Sequence, residues 1–243
     1  MSTQPRPALP PLRLIRPKRM YEQVAEQIEA LIRAGTFTPD ARLPGERELA
    51  DQLGISRPSL REALIALETA GLIETRVGDG TYVRPDIGPT PVFPLATGRD
   101  LGPGTLEQFE ARRALECAAA ELAALRAGAE ERAALGECLA RMRGLVEGGG
   151  NPAREHQVFH TGLVDAAHNQ IFSRLVRELW RARQGAMWDL LRRKVENVES
   201  WRAGLLFRAQ LMEALAARDG AAARALMEAH FHRVGRRYFD PGE

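Results

Sequence analysis

Cysteine is scarce in this sequence, and that scarcity limits the kinds of site the chain can build. The 243 residues include two cysteines, Cys117 and Cys138, and no CxxC pair. Two such cysteines are too few for a disulfide framework or a thiolate metal cage. We therefore expect a protein of a reducing compartment.

Long apolar runs are also lacking. No stretch reaches the roughly 18–20 uncharged apolar residues of a membrane span, and the first residues interleave Arg and Pro, unlike the core of a signal peptide. The composition, 44% hydrophobic and 27% charged, is that of a folded chain of one to two domains. These features predict a cytoplasmic protein with no membrane partner.

The sequence also lacks a strong excess of either charge sign, since its formal net charge is +2. Residues 1–18 carry four cations and no acid, residues 19–85 carry eight Arg against eleven acids, and residues 86–243 carry 22 cations against 21 acids. We interpret the first segment as a flexible basic arm. A nucleic-acid partner must be argued from where the arginines lie, because the total charge does not indicate one.

Helix and turn signals follow the arm. Apolar residues at three- and four-residue steps predict a helix that begins at Met20 and is closed by Gly35. A short helix is predicted over residues 46–53. A third begins after Ser56, which is placed as an N-cap, and is ended by Gly71.

Two short β-prone runs come next, from Leu72 to Arg76 and from Thr81 to Arg84. The Asp79-Gly80 pair between them is a strong hairpin signal. Three helices followed by a hairpin predict a winged helix-turn-helix domain over residues 19–85.

The rest of the chain has a different character. Residues 86–104 are rich in Gly and Pro and are predicted to be a linker, whereas residues 105–238 are dominated by the helix formers Ala, Leu, Arg and Glu. Helix breaks are expected at Gly128, residues 148–152, His168-Asn169, Ser200 and Asp219-Gly220. The chain is therefore predicted to be mostly α, with a C-terminal bundle of about six helices that can enclose a pocket.

The start of the third helix carries candidates for reading DNA. In helix-turn-helix proteins the N-terminal part of the second helix of the motif enters the major groove, where Arg can bond bidentately to guanine. A glycine-tipped wing can approach the DNA backbone closely. The candidate contacts are Arg47, Ser56, Arg57, Ser59, Arg61, Gly78, Gly80 and Thr81. The alternative is that these arginines are solvated surface of a structural or protein-binding winged helix.

The same segment resembles a known family. The runs LPGERELA (43–50), LGISRPSLREAL (53–64) and LETAGLI (67–73) closely resemble the DNA-binding domain of GntR-family bacterial transcription regulators. The resemblance implies that Arg47, Arg57, Arg61 and Gly78 contact the operator. It also implies that Ser56 and Ser59 are phosphate or base partners.

The helical half resembles, more loosely, the all-α effector-binding (FCD-type) domain of the FadR subgroup of that family. The supporting residues are Glu110 to Glu116, His156, Phe159 and His160, the His168-Asn169 turn, Arg218-Asp219, Met227 and His230. The resemblance implies a domain that senses a small molecule. The predicted effector contacts are Arg112, Arg208 and Asn169.

Many members of that subgroup hold a divalent metal with an Asp and three His. At the corresponding positions this chain has His156, His160, Arg208 and His230, so two of the four depart from the pattern. In one reading the three histidines bind zinc or nickel with Arg208 turned aside. In a second, the metal is lost and Arg208, with Arg112, pairs with an effector carboxylate. In a third, the histidines are merely hydrogen-bonded residues.

Trp180, Trp188 and Trp201 lie at helix-like spacing, and we interpret them as core or dimer packing rather than as effector contacts.

The overall prediction is a metabolite-responsive repressor that binds a pseudo-palindromic DNA operator as a homodimer and senses a small organic acid. One rival is a metal-dependent hydrolase built on His156, His160 and His230. The other is a structural DNA-binding protein that senses nothing.

Overall fold

The computed structural model describes residues 18–76, 78–87 and 104–239. The predicted arm before residue 18 and most of the predicted linker lie outside these ranges. Within them the chain forms ten helices and two strands, in the order of a small helix–hairpin unit followed by an all-helical one.

The N-terminal unit is the predicted winged helix-turn-helix. Its helices are α1 (Met20–Arg33), α2 (Glu46–Leu53) and α3 (Arg57–Thr69). Gly54 ends α2 with a φ of 65°, a left-handed conformation that favours glycine. Ser56 caps α3, since its side chain accepts a hydrogen bond from the Ser59 backbone N–H.

The wing is a two-stranded antiparallel hairpin. Strands β1 (Ile73–Arg76) and β2 (Gly80–Val83) pair in the register that joins Ile73 to Val83 and Arg76 to Gly80. Ile73 and Val83 are buried against the helices, so the hairpin is fixed at its base and projects its turn into solvent.

The C-terminal unit contains seven helices, one more than expected. They are α4 (Thr105–Arg126), α5 (Ala129–Glu147), α6 (Ala153–Asp165), α7 (Gln170–Ala182), α8 (Ala186–Val195), α9 (Val198–Ala216) and α10 (Gly220–Phe239). The additional break follows α7 at residues 183–185. The break expected at Ser200 lies instead at Asn197, whose side chain caps α9 by accepting from the Ser200 N–H.

Helix α4 is the centre of this bundle. It packs extensively against α10 and also contacts α6, α7 and α9. Large apolar side chains from the surrounding helices, including Phe159, Leu163, Leu211 and Phe231, are fully or almost fully buried against it. Of the helices within the described ranges, none combines the length and the apolar character needed to cross a bilayer.

Burial predicts which leucines stabilise the bundle. Leu163 on α6 is completely buried, whereas Leu206 on α9 is 65% exposed. We expect Leu163→Ala to lower the free energy of unfolding by about 2–5 kcal/mol, because it removes buried methyl groups and leaves a cavity. Leu206→Ala, the same change in a helix, should alter it by less than about 0.5 kcal/mol. Urea unfolding followed by circular dichroism measures both, and equal losses would contradict the packing described.

Candidate DNA-binding and ligand-binding sites

The first turn of α3 lies at the surface beside the α2–α3 turn. Arg47 and Ser56 are exposed, and Arg57 and Ser59 are partly buried. The Ser56 and Ser59 hydroxyls lie 2.8 Å apart and share a hydrogen bond, which orients both at the helix start. The Arg57 Nε is buried without a hydrogen-bond partner among the described residues.

Arg61 lies differently from the other predicted DNA contacts, because it is buried between the two units. Its Nε donates to Glu46 Oε2 at 2.5 Å, and its Nη1 donates to the backbone carbonyl of Phe239 at 2.7 Å. Phe239 is the last residue of α10. In this arrangement Arg61 faces the helical unit, so it reaches DNA only if these contacts open.

Two further residues of α3, Glu62 and Glu68, contact the helical unit. Glu62 accepts hydrogen bonds from the Thr105 hydroxyl (3.0 Å) and the Leu106 N–H (3.1 Å) at the start of α4. Burial raises the pKa of the Glu62 carboxyl, although these donors favour its charged form. At the other end of α3, Glu68 pairs with Lys194 of α8.

The two glycines predicted to contact DNA lie at the tip of the wing, Gly78 in the hairpin turn and Gly80 at the start of β2. Gly78 is exposed with a φ of 76°, and Gly80 has a φ of 143°. A Cβ on Gly80 would lie 2.7 Å from the Arg42 Nε, so this glycine makes room for a guanidinium. Thr81 follows on β2 and is partly exposed. Arg42 was not predicted from the sequence, because its loop position carries no helix or strand signal.

The three predicted histidines come together in the helical unit. His156 and His160 project from α6 and His230 from α10, with one ring nitrogen of each within 4.8 Å of the others. Burial lowers the pKa of His156 and His230 well below the usual value, and the Arg208 and His160 charges act in the same direction. The cluster is therefore neutral at pH 7.

A chain of polar contacts runs through His160. The Glu116 carboxylate receives Arg112 Nε at 2.8 Å and lies 2.5 Å from His160 Nδ1, while Arg208 Nη2 lies 3.0 Å from His160 Nε2. Burial opposes ionisation of Glu116, but Arg112 and His160 hold its pKa at about 2. Burial lowers the His160 pKa to about 4 against the pull of Glu116. His160 thus donates from Nδ1 to a charged Glu116 and accepts from Arg208 at Nε2.

These contacts do not suit a metal ion. The Nε2 lone pair of His160, the one free to coordinate, is occupied by the Arg208 guanidinium. The local backbone also accommodates the guanidinium: Arg208 Nη1 donates to the Gly204 carbonyl at 2.8 Å, and a Cβ on Gly204 would lie 2.9 Å from Nη1. A divalent cation would meet a fixed positive charge in its coordination sphere.

A narrow cavity of about 40 Å³ lies beside this chain of contacts, room for roughly three water molecules. Three buried arginines reach it: Arg112 and Arg183 are each 4% exposed and Arg208 is 1% exposed. A larger groove of about 650 Å³ shares Arg183, Glu196 and Trp201 with the cavity and opens to solvent. The remaining cavity lining is aromatic and polar: Phe109, His156, Trp188, Ser200, Gly204, His230, Phe231, Val234, Arg237 and Tyr238.

Asn169 lies apart from the other two predicted effector contacts, Arg112 and Arg208. Its Oδ1 accepts from the Ile171 and Phe172 N–H groups, so it is the N-cap of α7. It lies in a separate surface groove with Arg174 and Arg177, outside the lining of the cavity. The three predicted effector contacts are therefore not brought together in one cavity.

Sequence reasoning missed Glu116 as a partner of the histidines and missed Arg183 altogether. Arg183 lies between two indole rings, 4.7 Å from that of Trp180 and 4.5 Å from that of Trp188. Both tryptophans are buried in the core, as interpreted from the sequence, and Trp188 also lines the cavity. The only local signal was the recurrence of arginine near aromatic residues, which does not reveal a cation–π pair.

The fold defines a class of protein: a winged-helix DNA-binding regulator with an all-helical C-terminal unit. Residues 20–83 match the model of bacterial regulatory proteins of the gntR family, and residues 107–233 match the FCD domain. The chain belongs to the GntR family of transcription regulators and is of the FCD type.

Two similar proteins are themselves named as transcriptional regulators. The chain is 33% identical over 228 residues to the Uxu operon transcriptional regulator of Escherichia coli, covering 92% of this chain and 88% of that one. It is 27% identical to the Exu regulon transcriptional regulator of E. coli, covering 90% and 84%. The family consists of non-enzymatic transcription factors, which removes the hydrolase alternative.

A solved structure shares the fold. The structure of Lar, which controls the expression of the Listeria monocytogenes agr system, aligns with a TM-score of 0.50 at 19% identity, over 93% of this chain and 99% of that one. At this identity the likeness shows the fold alone.

The buried neutral histidines predict a loss of stability in mild acid. Below pH 6.5 unfolded histidines take up protons, whereas those of the native cluster do not until the pH approaches 4 at His160. The free energy of unfolding should therefore fall as the pH drops through this window, by up to about 1.4 kcal/mol per pH unit for each histidine. Urea titrations at pH 7, 6 and 5 measure it. His230→Gln should reduce the slope of unfolding free energy against pH by the equivalent of about one proton taken up on unfolding. A stability independent of pH would contradict the burial of these histidines in the native state.

Proposed function

We propose that this chain is a metabolite-responsive repressor that binds a pseudo-palindromic operator as a homodimer and senses a small organic acid in its helical unit. Residues 19–85 act as the DNA reader, residues 105–238 as the sensor and dimerisation unit, and residues 86–104 as the linker. Residues 1–18 form a basic arm. The protein works in the bacterial cytoplasm, where its DNA target lies.

The observation that carries the DNA-binding proposal is the position of the first turn of α3 at the surface, beside the α2–α3 turn. This first turn presents Ser56 and Arg57 next to the α2–α3 turn, with Arg47 nearby in sequence on α2 and exposed. This is the end of the recognition helix that reads base edges in helix-turn-helix proteins. The wing tip at Gly78 and Gly80 supplies a second, sequence-independent contact to the backbone.

Dimerisation follows from the small size of this reader. One α3 offers few base contacts, while two related by a two-fold axis read half-sites about one DNA turn apart and multiply affinity and specificity. The helical unit also leaves Ile171 and Leu175 exposed one turn apart on α7, and this apolar surface is available to a second copy.

The sensor proposal rests on the charge around the cavity. Arg112, Arg183 and Arg208 are buried there and Arg237 also lines the cavity, whereas the carboxylates are those of Glu196 in the lining and of Glu116, which pairs with Arg112. A small carboxylate would neutralise part of the surplus charge. Guanidinium groups recognise carboxylates through paired N–H donors.

The same helices connect the cavity with α3. On α10, Tyr238 lines the cavity, and the next residue, Phe239, accepts a hydrogen bond from Arg61 through its backbone carbonyl. On α8, Trp188 lines the cavity, and Lys194 forms the ion pair with Glu68. We infer that an anion in the cavity favours this docked arrangement, which keeps Arg61 away from DNA. An effector that binds the docked arrangement more tightly than the DNA-bound one lowers operator affinity, which makes it an inducer of a repressor.

Replacing Arg57 by Ala tests the reader. With an operator selected from random duplexes by the wild-type protein, we expect a loss of about 1–3 kcal/mol and a relaxed preference at one base pair of each half-site. Arg47→Ala should reduce the salt slope of log K by about one phosphate contact, roughly 0.9. Fluorescence anisotropy at several salt concentrations measures both.

The matched control is Arg141→Ala, an exposed arginine on α5. It should change neither affinity nor salt slope. If Arg57→Ala behaves like this control, α3 is not the recognition helix.

Lys194→Ala tests the docking proposal. It breaks the Lys194–Glu68 pair from the sensor side, and a partly exposed ion pair contributes up to about 1 kcal/mol, so operator affinity should rise by up to about fivefold. Nonspecific electrostatics predict the opposite, because the change removes a cation. The adjacent Arg193→Ala, an exposed cation without that pair, is the control. Equal or weaker binding by Lys194→Ala would show that docking does not oppose DNA binding.

A further inference from the structure

We infer that the Arg208 guanidinium replaces a metal ion in this FCD domain, so that the site binds a carboxylate directly and needs no metal. This inference rests on the proposed sensor function and names the chemistry of its ligand site. Its starting point is the misfit described above: three histidines gather as if for an ion, and a guanidinium occupies the lone pair that would hold it.

The surroundings of Arg208 are shaped for that side chain. Gly204 lies one turn before it on α9, and its missing Cβ leaves the space in which Nη1 reaches the Gly204 carbonyl. His160 offers Nε2 as an acceptor because Glu116 fixes its proton on Nδ1. Both contacts hold the guanidinium in one orientation and use N–H groups of its two terminal nitrogens.

Two donors remain for a ligand. The Nε atoms of Arg208 and Arg183 are both buried and have no hydrogen-bond partner among the described residues. Leaving such donors unmet is unfavourable, and more so when the group is charged. Both side chains border the cavity, and Arg183 also borders the adjoining groove, so an anion entering from the groove meets them.

Charge selects an anion over a cation. Around the cavity the histidines are neutral, Glu116 is already paired with Arg112, and Glu196 accepts from the Tyr238 hydroxyl. Arg183 and Arg208 have no carboxylate in hydrogen-bonding contact within the described residues, and Arg237 adds a further cation to the lining. A carboxylate oxygen accepts hydrogen bonds at such donors and is neutralised by them. A divalent cation would add to the positive charge that burial already makes unfavourable.

The first test concerns the metal and uses full-length protein prepared without an affinity tag. Wild type incubated with micromolar ZnCl₂ and passed through a desalting column should retain well under one zinc per chain. Arg208→His restores a fourth imidazole beside the three histidines and should retain about one zinc per chain, as four nitrogen ligands suit tetrahedral zinc. Arg208→Gln removes the guanidinium and leaves three histidines, so it should retain an intermediate amount of zinc. Arg141→Gln, an exposed arginine on α5, is the control and should retain as little zinc as wild type. Stoichiometric zinc on wild type that His160→Ala abolishes would overturn the inference.

The second test concerns the anion and uses acetate as the probe, because it carries the carboxylate alone. Sodium acetate at about 100 mM should raise the wild-type Tm by roughly 2–5 °C over sodium chloride at the same ionic strength. Arg208→Gln and Arg183→Gln should each lose most of this rise, and Arg141→Gln on α5 should keep it. No acetate-specific rise in wild type, or an unchanged rise in both cavity variants, would overturn the assignment.

Operator binding by the same preparations separates this inference from the proposed function. Loss of the acetate response with normal operator affinity counts against the carboxylate site alone. Absence of sequence-specific DNA binding by wild type counts against the regulator itself.

Discussion

The hydrogen-bonded ion pairing of the buried Glu116 carboxylate is the interaction on which the helical unit depends. This carboxylate lies on the central helix α4 and is contacted by Arg112 one turn ahead and by His160 of α6. A charge so deeply buried is tolerable only because both partners compensate it; removal of one partner of such a pair typically costs about 3–5 kcal/mol. The pair also sets the His160 tautomer, and the tautomer in turn decides that Nε2 accepts from Arg208. One carboxylate therefore orients groups from three helices.

This dependence explains how a histidine cluster can serve a purpose other than metal binding. A carboxylate that orients an imidazole is a familiar outer partner of metal ligands. Here the same device holds the imidazole as an acceptor for a guanidinium. Two of the four positions depart from the family's metal-binding pattern, and the guanidinium at position 208 is the departure that occupies the His160 lone pair.

Much of the DNA-reading unit was predictable because its signals are local. The cap at Ser56, the left-handed Gly54 and the hairpin turn before Gly80 each act within a few residues, and the helices and strands start or end close to the expected positions. The break after α7 was missed because Arg183 and Gln184 are good helix formers. At Asn169 the local signal is that of a helix cap, and its side chain does cap α7, whereas its ligand role stays a prediction.

The long-range features were beyond sequence reasoning for a physical reason. Glu116 and His160 are 44 positions apart, and Arg61 and Phe239 are 178 apart, so no periodicity or spacing links them. Their pairing results from how whole helices pack. The three histidines were predicted to be neighbours because of a family resemblance. That resemblance carried no information about the contacts that Arg208 makes with them.

In the proposed mechanism, in which Arg61 contacts the operator and an acid favours the docked arrangement, the position of Arg61 has a consequence for the ligand as well as for the DNA. A side chain held by the Phe239 carbonyl cannot also lie in the major groove, so docking of α3 on the helical unit and engagement of the operator draw on the same residue. Equilibria that compete for one group are linked in both directions: whatever factor the acid takes from operator affinity, the operator takes from the affinity for the acid. A molecule bound to its operator is then a poorer sensor than a free one, and the threshold concentration for induction is set partly by the DNA.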